Sequence, residues 1–143
     1  MLSILFFVLL IQTSYGDQCV NIDLLDNDNH YPLALFSNVS YNVYNRTLIP
    51  IGNACHLLSG YFPPNFIAIA ERGDCDFVTK AQFALQMNAS TLIVVNYGSE
   101  IFPMSGNNDV PIIAFMVDEI SGHKLMNDRY ANANIVLGNC LES

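Results

Sequence analysis

Several residues in this chain have types and spacings that could do chemistry. Cys75 precedes a helix-start pattern, where the helix dipole lowers a thiol pKa and favours a nucleophilic thiolate. In an oxidising compartment the same cysteine is instead half of a disulfide. His56 lies beside Cys55, but no His/Asn arrangement around either cysteine matches a cysteine-protease signature. Arg72-Gly73-Asp74 is an RGD tripeptide that, if exposed, could offer Asp74 to an integrin metal ion. Asp26-Asn27-Asp28-Asn29-His30 resembles the start of a calcium loop, yet the sixth position is Tyr31 rather than Gly and the twelfth is Ser37 rather than Glu. A solvated turn accounts for it. His30, His56 and His123 lack ligand spacing, and no cysteines pair as C-x-x-C, so neither a metal nor a cofactor is expected. Ser121 has no G-x-S-x-G elbow, and Asp118 and Glu119 are adjacent, so on a helix they point apart. No phosphate loop is present. The chain is expected to have no catalytic residues of its own.

The elements that would carry these residues become clear from Phe66 onward. Residues 66–70 read as a buried strand, and residues 71–75 as a turn around Gly73. Asp76 is a helix N-cap with Thr79 three positions on. Phe77, Ala81, Ala84, Leu85 and Asn88 then fall at helical spacing, with Asn88 suited to the left-handed residue that ends a helix. Thr91–Val95 is a strand buried on both faces, and residues 98–109 form a polar loop. Residues 110–117 are a further strand, with Pro111 near its start. Asp118 caps a second short helix running to about Met126, and residues 135–137 close with a strand. Residues 17–54 are turn-rich; Phe36, Val39, Tyr41 and Val43 fit short strands between Asn/Ser turns. The order is that of a mixed α+β sheet packed by two helices.

Composition bounds the function. The 143 residues fit one domain with a real core. A net charge of −8, with only five scattered cations, excludes nucleic acid as a partner, since phosphate binding needs a basic stripe. At 52% hydrophobic the chain is too apolar for disorder, and at 13% charged too uncharged for a coiled coil.

Residues 1–16 read as a cleaved signal peptide. Ile4 to Ile11 is an apolar run of h-region length, and Ser14 and Gly16 are small residues before a cut at Asp17, although the n-region has no Lys or Arg. The remaining runs are strand-sized, so no membrane span is expected in this chain. The expected location is secreted, or the lumen of the ER, Golgi, endosome or lysosome. Four cysteines in that setting suggest two disulfides. Three connectivities are open; spacing favours Cys55–Cys75 as a local clasp and Cys19–Cys140 as a tie between the ends. Asn38-Val39-Ser40, Asn45-Arg46-Thr47 and Asn88-Ala89-Ser90 are sequons, whose asparagines must be exposed if they carry glycans.

The segment from Ala54 to Asn96 resembles a protease-associated (PA) domain. Arg72, Gly73, Cys75, Phe77, Lys80, Ala81 and Asn96 stand in register with the core motif of that family, and Asn88-Ala89 replaces its usual Gly-Ala. Val110-Pro111 and the apolar residues after it match the later Ile-Pro segment. A closer resemblance is to the lumenal N-terminal region of the signal-peptide-peptidase-like intramembrane aspartyl proteases. It rests on Cys55, residues 92–97, 101–107 and 112–115, residues 31–35, and Asn38 and Asn45. The YD and GxGD membrane motifs of those enzymes are absent from these residues.

The resemblance implies a β-sandwich or open barrel flanked by two short helices, here a single domain over residues 17–143. It also implies a non-catalytic role: binding a protein or peptide, with a protease or its substrate among the partners. The alternative is the lumenal part of such a membrane protease. In the motif, Gly73 permits a tight turn, Phe77 enters the core, and Lys80 lays its stem along the sheet with its ammonium in water. Arg72 and Gly73 are thereby explained without an RGD function. The candidate binding loop is residues 98–109 with its neighbours, carried by Tyr97, Phe102, Met104 and Asn107.

Overall fold

The computed structural model describes residues 18–26 and 30–141. The expected signal peptide, and residues 27–29 of the Asp/Asn-rich turn, lie outside the described residues. Seven strands and two helices follow in the order β1 (Gln18–Ile22), β2 (Tyr31–Pro32), β3 (Val43–Pro50), β4 (Ile67–Glu71), α1 (Phe77–Gln86), β5 (Thr91–Val95), β6 (Ile113–Val117), α2 (Glu119–Asn127) and β7 (Asn132–Asn139).

One mixed sheet runs β2-β1-β7-β3-β4-β5-β6. Strands β3 to β6 are parallel neighbours, joined through the α1 crossover between β4 and β5; β7 and β1 are antiparallel. The two ends of the sheet meet. Leu33, directly after β2, bridges to Phe115 of β6, and Ala34 N–H donates to Ala114 O at 2.8 Å. The result is a nearly closed barrel whose terminal strands are covered rather than free.

Strand β4 shows why the layers form. Ile67 and Ile69 point one way, Ala68 and Ala70 the other, and all are buried. The small side lets α1 approach, so Ala68, Ala70, Leu92, Val94 and Ala114 pack with Val78, Ala81 and Ala84. The large side fills the barrel with Val20, Ile22, Ile93, Phe115 and Ile135, capped by Leu125 of α2.

Both helix starts match the sequence reading. Asp76 accepts from Thr79 N–H at 2.8 Å and Asp118 from Ser121 N–H at 3.3 Å. Asn88 takes φ 69°, the left-handed residue that ends α1.

Other readings shift. The buried stripe of α1 is Val78, Lys80, Ala81 and Ala84, with Phe77 and Leu85 at its margin. The strand expected over 110–117 begins at Ile113, because Pro111 has no N–H for a ladder and Ile112 N–H turns back to Val110 O at 2.8 Å. Phe36, Val39 and Tyr41 lie outside any strand. That segment instead runs along β6 and closes the barrel, with Phe36 buried.

Candidate functional site

The motif residues come together where β4 and β5 end. Beyond Glu71 the chain turns at Gly73, with φ 114°, where a Cβ would sit 2.8 Å from Tyr97 Oη. Glycine is required there both by that angle and by this approach. Tyr97 Oη donates to Arg72 O at 2.5 Å, and Cys75 N–H to Gly73 O at 2.9 Å. The turn is tied to the Cys55 segment by the Cys55–Cys75 disulfide, while Cys19–Cys140 joins β1 to the end of β7. Both pairings are those that the spacing favours. Arg72 Nη1 donates to Asn96 Oδ1 at 2.8 Å, and Asn96 Nδ2 to Glu100 O at 2.9 Å, so two loops are bound together. The Arg72 guanidinium lies over the Phe77 and Phe102 rings, 5.7 and 5.3 Å from their centroids.

Lys80 departs from expectation. Its ammonium is not in water: the residue is 0% exposed, and Nζ donates to Asn53 O at 2.6 Å and Gly73 O at 2.7 Å. Loss of water contact pushes its pKa below the ordinary 10.5, against the pull of Asp74, Glu71 and Asp76. The strands ending at Pro50 and Glu71 leave backbone carbonyls turned inward at one point, and a long cationic side chain from α1 satisfies them.

The candidate loop divides. Met104 is fully buried and holds Leu35 N–H through its carbonyl at 2.7 Å. Phe102 is half-buried between Arg72 and the core. Neither is a free anchor, because an apolar side chain on a loop beside an open core edge is drawn into it. Tyr97, at 66% exposed, and Asn107 remain on the surface. The RGD tripeptide is likewise committed: Arg72 is stacked and hydrogen-bonded, and Asp74 accepts from Asn53 Nδ2 at 2.9 Å. Asn38, Asn45 and Asn88 are all exposed.

A cleft of about 360 Å³ opens beside Tyr97, between α2 and the ends of β3, β4 and β5. Ile69, Ala70, Val95 and Met126 form its apolar wall, and Glu71, Glu119 and His123 line it as well. Glu119 is fixed by accepting from Gly98 N–H at 2.8 Å. Gly122 forms part of the lining, because α2 passes so close to β5 that a Cβ there would lie 2.3 Å from Val95 Cγ1. Sequence reasoning missed this cleft. Clefts of α/β sheets lie beyond the carboxyl ends of parallel strands, and that signal exists only once the strand order is known. Among the described residues no three His, Cys, Asp or Glu side chains gather as metal ligands, and no helix is long and apolar enough to cross a membrane.

A family model described as the PA domain matches residues 40–125. Among curated proteins, RING finger protein 148 of Bos taurus is 32% identical over 108 residues, covering 68% of this chain and 33% of the relative. The E3 ubiquitin-protein ligase RNF133 of Rattus norvegicus is 25% identical over 124 residues, covering 64% of this chain and 32% of the relative. The chain thus spans about a third of the length of the curated relatives it matches. Among solved structures, a zinc aminopeptidase from Bacillus subtilis superposes with a TM-score of 0.62 at 16% identity, covering 97% of this chain and 37% of that one. An aminopeptidase from Aneurinibacillus sp. strain AM-1 gives 0.58 at 17%, covering 89% of this chain and 36% of that one. These structural likenesses establish a shared fold.

Proposed function

The chain belongs to the PA-domain family, and from that premise we propose that it is a non-catalytic module that binds an extended protein or peptide segment at the cleft beside Tyr97. The closure of the sheet carries this reading. With β2 and β6 joined through Leu33 and Phe115, the described residues leave a peptide little free edge to extend, which disfavours strand addition. The cleft at the strand ends offers an apolar wall, an exposed tyrosine and a rim fixed by the Arg72–Asn96 and Tyr97–Arg72 hydrogen bonds. A rigid, pre-formed rim limits the ordering cost of binding. The surface expected on residues 98–109 is thereby re-centred on their first residues and on α2.

The test is retention of a random extended-peptide library by the immobilised full chain. His123→Trp, which fills the cleft from an exposed position, is expected to reduce retention at least about tenfold. Tyr44→Ala, at a 61%-exposed tyrosine that does not line the cleft, is expected to leave it unchanged. No retention by the unaltered chain, or equal retention by His123→Trp, overturns the reading.

We further propose a secreted or lumenal location with glycans at Asn38, Asn45 and Asn88. Two disulfides and three exposed sequon asparagines support it. Expression through a secretory pathway is expected to give an N-terminus at Asp17 and a mobility shift on N-glycosidase treatment. An intact leader and no shift would contradict it.

A second reading has the module serve a larger enzyme. The curated relatives named as RING finger and E3 ubiquitin-protein ligase proteins, about three times as long as the matched region, favour a ligase over the signal-peptide-peptidase-like protease suggested by resemblance. Transcript sequence beyond Ser143 discriminates: a RING motif supports the first and a GxGD motif the second.

A further inference from the structure

We infer that the cleft is selective for a cationic side chain on an aliphatic stem, a Lys or Arg of the bound segment; this rests on the peptide-binding reading above. The lining contains two carboxylates, Glu71 and Glu119, and no Lys or Arg. Glu71 is the last residue of β4 and Glu119 the first of α2, so they stand at the mouth, while Ile69, Ala70, Val95 and Met126 line the wall. An apolar wall with carboxylates at its mouth matches a side chain that is greasy along its stem and charged at its tip.

None of the chain's own Lys or Arg lines this site, although Lys80 acts on Glu71 from within the fold. Lys80 is buried against carbonyls and Arg72 is held by Asn96, Phe77 and Phe102. On α2 and just past its end, Lys124 pairs with Asp128, and Arg129 Nη1 donates to Met126 O at 2.9 Å, at the far end of the helix from Glu119. Arg46 lies on β3 and does not line the cleft. The net charge of −8 adds a general attraction for cationic segments, and the cleft adds two carboxylates beside an apolar wall.

The probes are random extended peptides with one central position fixed as Lys, Arg, acetyl-lysine, norleucine or Glu, offered to the immobilised full chain. The Lys and Arg pools are expected to be retained about tenfold better than the norleucine and acetyl-lysine pools, and the Glu pool least. Glu71→Gln with Glu119→Gln should reduce that preference to within about twofold, and added salt should do the same to the unaltered chain. Retention of the norleucine or Glu pool equal to that of the Lys pool overturns the charge selectivity and leaves peptide binding standing. Retention of no pool overturns both. A Lys preference that survives the double substitution places the selectivity elsewhere and overturns this site.

Discussion

Lys80 is the residue on which the motif turns. Its ammonium satisfies two inward carbonyls, from Asn53 and Gly73, which belong to the two segments that the Cys55–Cys75 disulfide joins. Lys80→Met keeps the length but removes the donor, leaving Asn53 O without its ammonium partner and Gly73 O with Cys75 N–H alone. The expected loss is about 2–3 kcal/mol in a denaturant titration, and a loss under about 0.5 would show that the carbonyls find other partners. Asp76 gives a residue-scale pH dependence. Hydrogen bonds from the Thr79 side chain and backbone hold its carboxyl below the usual 3.8. A folded pKa below the unfolded one contributes stability that is present above 3.8 and lost as pH falls through the folded value. Asp76→Asn keeps an acceptor for Thr79 N–H but does not titrate. It is expected to match the parent near neutrality and to lose less stability between about pH 5 and pH 2. Identical acid limbs would remove Asp76 from that role.

At the scale of elements, the cleft depends on how closely α2 lies against β5. Gly122 faces Val95 there, and a Cβ would lie 2.3 and 2.8 Å from its two methyl carbons. Gly122→Ala raises helix propensity, but the overlap should dominate, with a net loss of about 1–2 kcal/mol. Val95→Ala opens the space that the new methyl needs. The double variant should therefore be less destabilised than the sum of the singles by about 1 kcal/mol in a double-mutant cycle. Strict additivity would mean that helix and strand do not meet there. Strand β4 meets α1 by a similar size match: its Ala face is covered by that helix and its Ile face fills the barrel.

For the whole molecule, the Cys19–Cys140 bridge closes a loop with a sequence separation of 121 and fastens β1 to β7. In the chain-entropy view such a cross-link contributes on the order of 4–5 kcal/mol by restricting the unfolded chain. Cys19→Ala with Cys140→Ala is expected to lower the urea midpoint by an amount equivalent to about 3–5 kcal/mol while the sheet still forms, since β1 keeps its register with β7. An unchanged midpoint would mean that the unfolded chain is already held by other structure. The closure of the sheet also underlies the proposed mode of binding, because it covers the terminal strands and leaves the strand ends open.

What the sequence determined by itself was local. Helix caps at Asp76 and Asp118, the turn at Gly73, the left-handed Asn88 and strand β5 each depend on residues a few positions apart, and all were legible. Strands β1 and β2 were not, because they have only five and two residues and the main partner of β1, β7, lies at the far end of the chain. The fate of the loop was equally hidden: whether Phe102 and Met104 face solvent or core depends on which edge lies beneath them. The cleft was the least legible feature. Glu71 and Glu119 are distant in sequence, and they come to one mouth only because parallel pairing of β4, β5 and β6 brings their carboxyl ends together and α2 begins just past β6. Side-chain chemistry was written in the residues; which chemistries share a site was decided by strand order.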